Sequence, residues 1–180
     1  MTRAKLLAGV VGMAAVVAGG CSANTTLPVS SNEHLCRKAG FASPFSDVDA
    51  CTADATLTAA VHAVFSYRPG EQGDQRAAFR AARPLMDPRF AERAEPAALV
   101  WAPVSVTQWQ QWRTDAVTIT AVARVTSDDH SADTATSASR VLAVELASSD
   151  QSAIGFSVYA HATRTSAGAA WLLSGLEVLS

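Results

Sequence analysis

Residues 115–126 read DAVTITAVARVT, and this stretch decides the fold class. Apolar and polar residues alternate along it, which indicates a β-strand with one buried face, because successive strand side chains point to opposite sides of a sheet. The apolar positions are Val117, Ile119, Ala121, Ala123 and Val125. Such a strand needs neighbouring strands and a layer packed on its apolar face.

The chain on both sides of this stretch predicts the remaining strands. Later strands are expected at residues 141–147, 154–165 and 171–179. Residues 127–133 are polar and typical of a turn, and residues 166–168 fit a hairpin connection. Residues 104–112 are expected to supply a strand ahead of residue 115. The connections favour an antiparallel meander of four to five strands.

The residues before the predicted sheet carry helical patterns. An apolar stripe at helical spacing begins after Asp54. The stripe consists of Leu57, Val61, Val64 and Phe65. Thr52 or Asp54 can cap this helix and Pro69 ends it, while Asp74 and Asp87 can cap two shorter helices. The sequence therefore predicts an α+β domain in which N-terminal helices pack on a curved antiparallel sheet.

Residues 1–20 predict a signal peptide. Two basic residues, Arg3 and Lys5, precede an apolar run that is too short to span a bilayer. The following residues, Val17-Ala18-Gly19-Gly20-Cys21, resemble the bacterial lipobox, in which the cysteine is diacylated and becomes the N-terminus. Ala18 stands where that pattern usually has leucine. The resemblance implies a lipoprotein held by Cys21 at the extracytoplasmic face of the cell membrane. The alternative is an ordinary signal peptide with an incidental cysteine.

Composition restricts the class of partner. Cleavage before Cys21 would remove two of the 14 basic residues, and 12 basic against 16 acidic residues leave a formal charge of −4. A mildly acidic chain without a basic stripe argues against nucleic acid as a partner. The membrane, through the lipid, and another envelope protein are the expected partners.

Two cysteines remain for the exported part of the chain. An even pair in an oxidising compartment favours a disulfide between Cys36 and Cys51. A reactive or metal-binding pair is the alternative. The expected organisation is a signal peptide at 1–20, a tether with a disulfide-pinned segment at 21–51, and an α+β domain at 52–180.

No catalytic, metal or cofactor motif stands out. The four histidines, His34, His62, His130 and His161, are far apart in sequence and do not have the spacing of metal ligands. No GxSxG serine motif occurs. The acidic residues Asp128, Asp129 and Asp133 are expected in a solvated turn, because the glycine and distal glutamate of an EF-hand are missing. We therefore expect no enzyme, metal or cofactor.

A family resemblance rests on order and aromatic placement. A helix pair, strands with Trp109-Gln110-Gln111-Trp112, a polar hairpin and the terminal run 170–176 resemble the nuclear-transport-factor-2-like superfamily over residues 52–180. Within it, the chain is similar to Mce-associated proteins and extracytoplasmic domains of conjugation-channel subunits. Those relatives usually carry a transmembrane helix instead of a lipobox.

The resemblance implies a cone-shaped domain and three hypotheses. The leading one is a non-enzymatic envelope interaction module in a transport or conjugative assembly. The second is binding of a small apolar ligand in the cone. Trp101, Trp109 and Trp112, with His62, are candidates for a cavity or partner surface, and core packing is the alternative for the tryptophans. The third is an isomerase or cyclase. Its candidate residues are His62, Asp115, Tyr159 and His161.

Overall fold

A computed structural model describes residues 36, 39–127, 130–148 and 152–179 of the chain. Residues 1–20, for which a signal peptide is predicted, lie outside the described residues. So do Cys21, His34, Asp128, Asp129 and most of the predicted tether. The predictions made for them are therefore not addressed by the fold. His130 and Asp133 are both exposed in the connection ahead of the second strand.

Between residues 39 and 119, all of which the structure describes, four α-helices precede the sheet. They are α1 (Ala53–Phe65), α2 (Arg76–Ala81), α3 (Pro88–Ala94) and α4 (Val106–Thr114), with 3₁₀ turns at Arg83–Leu85 and Glu95–Leu99. The Thr52 hydroxyl accepts from the Ala55 N–H and caps α1, and Asp87 accepts from the Phe90 N–H and caps α3. The capping residues expected from the sequence therefore begin these two helices.

The helices are followed by four strands in one antiparallel sheet. The strands are β1 (Thr120–Val125), β2 (Ser137–Ala147), β3 (Ile154–Thr163) and β4 (Leu172–Leu179), in spatial order β1-β2-β3-β4. Each strand pairs with the next along the chain. The α+β class with helices packed on an antiparallel sheet is confirmed.

The prediction of a strand at residues 104–112 is wrong, because most of this segment belongs to α4. Ser105 caps the helix, its hydroxyl accepting from the Gln108 N–H at 3.1 Å. Trp109 and Trp112 are three residues apart, so they share one helix face and both are buried. In a strand they would point to opposite faces, and one would be left in solvent.

The core lies between α1 and the inner face of the sheet. The whole apolar stripe of α1, Leu57, Val61, Val64 and Phe65, is at most 2% exposed. Phe65 packs edge to face on Phe156 of β3, with ring centroids 5.0 Å apart. The alternation predicted from Val117 to Val125 holds, since its first four apolar members are buried in this core and Val125 packs against it partly buried. Helix and sheet thus bury one another's apolar faces.

The segment ahead of α1 is fastened to the sheet beside β4. Cys36 and Cys51 form a disulfide with a Cα–Cα distance of 5.5 Å, which confirms the predicted pairing. Trp171 donates from its backbone N–H to the Ala50 carbonyl and from Nε1 to the Cys51 carbonyl. The Arg164 guanidinium lies 4.3 Å above the Trp171 ring. Residues 39–51 are therefore held at both the disulfide and the hairpin between β3 and β4.

Replacing both cysteines, Cys36→Ala with Cys51→Ala, tests how much the disulfide contributes to the stability of the domain. The bond joins residues 15 apart, and its loss should lower the free energy of unfolding by up to ~3 kcal/mol through the wider unfolded ensemble. Urea unfolding followed by tryptophan fluorescence measures this. The native chain reduced with dithiothreitol should match the double variant. Equal midpoints for oxidised native protein and variant would contradict the assigned role.

Candidate binding groove at the edge of the sheet

The edge strand β1 is partly covered by the end of α1. The Ala121 N–H donates to the Ser66 hydroxyl at 3.1 Å, and His62 Nδ1 lies 2.5 Å from the Ala121 carbonyl. Just before the strand, Tyr67 and Ile119 exchange both backbone hydrogen bonds, at 2.9 and 2.8 Å. The first outward-facing backbone groups of this edge are therefore satisfied by the chain itself.

The second half of the same edge is open. Outward and inward hydrogen bonding alternates along an antiparallel strand. Because Ala121 faces outward, Ala123 and Val125 also direct their N–H and C=O groups away from β2. Within the described residues, no hydrogen bond satisfies these four groups. An edge of this kind is a template for another strand.

A groove of about 650 Å³ runs beside the open edge. One wall is α1, with Ala55, Thr58 and Ala59, and the floor is β1 from residue 120 to 123. The opposite wall is the loop at residues 47–49. Small side chains on α1 leave room for an extended backbone, which requires about 5 Å between strands.

The rim of the groove is acidic. Asp47 and Asp49 are exposed, and within the described chain no cation lies within ion-pair distance of either. Asp49 also accepts from the Cys51 N–H at 2.9 Å, which fixes its carboxylate in place. Asp54 is different, because Arg140 lies 2.6 Å from it and neutralises it. The groove therefore presents net negative charge at the loop side.

Arg140 links the groove to the β-hairpin side of the sheet. Its guanidinium contacts Asp133 at 2.7 Å as well as Asp54. Asp133 and then Asp54 raise the pKa of Arg140, and Arg140 lowers the pKa of Asp133. This network fixes the beginning of α1 on β2, while Ser66 and His62 fix its end on β1.

The structure separates the tryptophans predicted for a cavity or partner surface. Trp109 and Trp112 are 4% and 2% exposed and belong to the core, which is the alternative considered for them. Trp101 is half-buried against Phe79 and Phe90. His62 is exposed and lines the groove. Of the four candidates, only His62 takes part in the binding groove.

The isomerase candidates are not brought together. His62 lies at the β1 edge, and Asp115 is exposed at the end of α4. Tyr159 and His161 lie on the outer face of β3, the side away from the core helices. No acid–base pair therefore forms among these four residues.

A serine–histidine cluster on the outer face of the sheet was not predicted from the sequence. Ser139 Oγ lies 2.8 Å from His161 Nδ1, and Ser137 Oγ lies 3.4 Å from Nε2. Both ring nitrogens are thereby occupied, and Ser139 is only 5% exposed, so its hydroxyl is not offered to a substrate. The strand register of β2 and β3 sets Ser139 opposite His161. Only that register, which the sequence does not specify, would have revealed the pair.

Comparisons with known proteins add no relative. No family model matches the chain, and neither the curated proteins nor the solved structures provide a match. The superfamily resemblance therefore stays a prediction. In the described part of the chain, no helix is long and apolar enough to span a membrane, and no cluster of three metal-ligating side chains occurs.

Replacing Ser66 by alanine tests the covered part of the edge. The Ala121 N–H would lose its acceptor, and one hydrogen bond contributes about 1 kcal/mol, so its amide exchange should accelerate roughly fivefold. Hydrogen exchange followed by NMR measures this. Ser174→Ala is the matched control, because Ser174 donates to the His161 carbonyl on β3. Unchanged exchange at Ala121 would contradict the assigned contact.

Proposed function

We propose that the protein is a lipid-anchored envelope interaction module that binds an extended segment of another envelope protein. The segment adds to the sheet along β1 and lies in the groove beside α1. The observation that carries the proposal is the open half of the β1 edge, where Ala123 and Val125 direct unpaired backbone groups away from β2 and Ala123 lines that groove. Strand addition supplies main-chain hydrogen bonds at such an edge.

The covered half of the edge supports this mode of binding. Tyr67 already pairs with Ile119 as a one-residue antiparallel bridge. An incoming strand pairs with β1 beyond Ala121. Ser66 and His62 already occupy the backbone groups of Ala121, so they mark where the incoming strand ends. The acidic rim at Asp47 and Asp49 favours a segment that carries lysine or arginine.

The membrane anchor is supported by the sequence around Cys21. The disulfide between Cys36 and Cys51 fits an oxidising compartment outside the cytoplasm. An anchored domain meets other envelope proteins at high local concentration, which allows a short strand contact to be useful. The resemblance to the nuclear-transport-factor-2-like superfamily favours a partner that belongs to a transport or conjugative assembly.

Binding of a small apolar ligand is the second hypothesis, and no feature of the described residues adds support to it. Trp112 is closed within the core, so it does not line an open cavity. Trp101 is covered on one side by Phe79 and Phe90. The groove at β1 is open along its length and better shaped for a chain segment than for an enclosed ligand.

Cys21→Ala tests the anchor. Without its acyl acceptor, the processed protein should no longer sediment with membranes, because the two acyl chains are its stable attachment. Membrane fractionation with immunoblotting measures this, and Cys36→Ala with Cys51→Ala is the control that keeps Cys21. Unchanged membrane association of the Cys21 variant would reject lipid anchoring.

Val125→Pro tests strand addition. Proline removes one outward N–H and is tolerated on an edge strand, whereas Val125→Thr keeps the N–H and the branched shape. A short diazirine-bearing amino acid at Thr58 reports the groove by photocrosslinking in the native host. We expect one protein adduct with native chain and Val125→Thr, reduced at least fivefold with Val125→Pro.

A second crosslinking position completes this design. Glu177 is exposed on β4, the opposite edge strand, and should give no such adduct. Equal adduct yields for the proline and threonine variants, or the same adduct from Glu177, would contradict binding at β1. Far-ultraviolet circular dichroism of both variants checks that the sheet persists.

A further inference from the structure

Three aliphatic side chains project from one end of the domain. Leu99 is 39% exposed, and Val100 and Val106 are each 79% exposed. Leu99 ends the 3₁₀ turn, Val100 follows it and Val106 begins α4, and all three line one surface pocket. We call these three residues the apolar tip. Exposed aliphatics gathered in one place indicate a surface that is covered in use.

Aromatic rings that pack against one another flank the tip along the chain. Trp101 stacks on Phe90 and packs against Phe79, with ring centroids 6.4 and 5.7 Å apart. Trp109 of α4 packs edge to face on Tyr67, with centroids 5.4 Å apart. The chain on both sides of the tip is therefore anchored by an aromatic platform, in which Trp101 is half-buried and the other four rings are buried.

Charge is distributed unevenly around this end of the molecule. No charged residue occurs between Glu95 and Arg113, so the tip itself is uncharged. The helical stretch 76–113 carries six arginines and three acidic residues, a net charge of +3. Residues 114–180 carry three arginines and seven acidic residues, a net charge of −4. Glu95 pairs with Arg80 and Arg83, whereas Arg89 and Arg93 of α3 are exposed and have no ion-pair partner among the described residues.

We propose that the apolar tip inserts into the interface of an anionic lipid bilayer. The aliphatic side chains suit the acyl boundary, and Trp101 suits the headgroup region. Arg89 and Arg93 lie on α3, which packs against the turn that carries Leu99, and they attract anionic headgroups. A second copy of the chain fits less well, because tip-to-tip contact brings two positive helical regions together. The inference rests on the proposed lipid anchor, which places the domain next to a bilayer.

The anchor is long enough for this contact. Cys21 and Cys36 are separated by 14 residues, which span at most about 50 Å when extended. The disulfide lies at the beginning of α1 and the platform residue Tyr67 just beyond its end. A helix of 13 residues separates them by roughly 20 Å. The tip therefore lies within reach of the bilayer that holds the lipid.

This contact also orients the binding groove. The groove lies along α1 from Asp54 to His62 and beside the loop at residues 47–49, whereas the tip lies beyond the other end of the helix. With the tip in the bilayer, the acidic rim points away from the anionic surface. The membrane contact and the strand-binding edge then act at the same time.

The test uses the processed protein purified from membranes, with intact mass first determining whether Cys21 is acylated. The protein is incorporated into vesicles of brominated phosphatidylcholine in which about a third of the lipid is anionic phosphatidylglycerol. Quenching of tryptophan fluorescence reports penetration next to Trp101. We expect quenching of the native chain to exceed that of Val100→Asp with Val106→Asp at least twofold.

Leu179→Asp is the matched control, because Leu179 is 44% exposed but lies at the end of β4; it should quench like the native chain. Equal quenching of native chain and tip variant, with acylation confirmed, overturns the tip contact and leaves the proposed anchor intact. If the mass shows no acyl group, the proposed lipid anchor is rejected. Quenching of the native chain and of the tip variant is then compared with vesicles added to the protein, which tests the tip contact by itself. Urea unfolding shows whether the tip variant is folded.

Discussion

The apolar face of α1 and the inner face of the sheet exclude one another from water, and this contact holds the two layers of the domain together. The four apolar residues of the α1 stripe are almost fully excluded from solvent, and a four-stranded open sheet is not stable with its apolar face in water. The position of α1 then fixes what lies at its two ends. The disulfide-bonded segment lies at its beginning, and the aromatic platform of Trp109 and Tyr67 lies just beyond its end.

The polar contacts of α1 explain why half of one sheet edge is open. Arg140 holds the first turn of the helix through Asp54, and Ser66 and His62 hold its last turn against Ala121. The helix thus crosses the edge of β1 at one place and covers only the backbone groups it meets there. Natural proteins usually cover or blunt such edges. An edge left half-covered beside a groove with an acidic rim is consistent with a strand-binding surface.

Predictions from the sequence succeeded where a local pattern coincided with a global requirement. The alternation around Ile119 and the helical stripe after Asp54 each specify both an element and its buried face, so the α+β class follows from them. The strand prediction for residues 104–112 is wrong, because Trp109 and Trp112 follow the helical period and not the period of two of a strand. Trp109 and Trp112 are compatible with a helix face, and the Ser105 cap is the local signal that indicates a helix there. The cysteine pair was predicted from compartment and parity, and its geometry agrees.

Periodicity, cysteine number and short motifs are local properties. The class of fold and the cysteine pair can therefore be predicted from the sequence, and the sequence contains no recognisable catalytic motif. The open strand edge and the contact of Ser139 with His161 are seen only in the folded chain. The same holds for the grouping of Leu99, Val100 and Val106 at one surface. These features depend on strand register and on how helices are placed over the sheet. Register and placement are set by contacts between residues far apart in sequence, and no local pattern in a single chain encodes them.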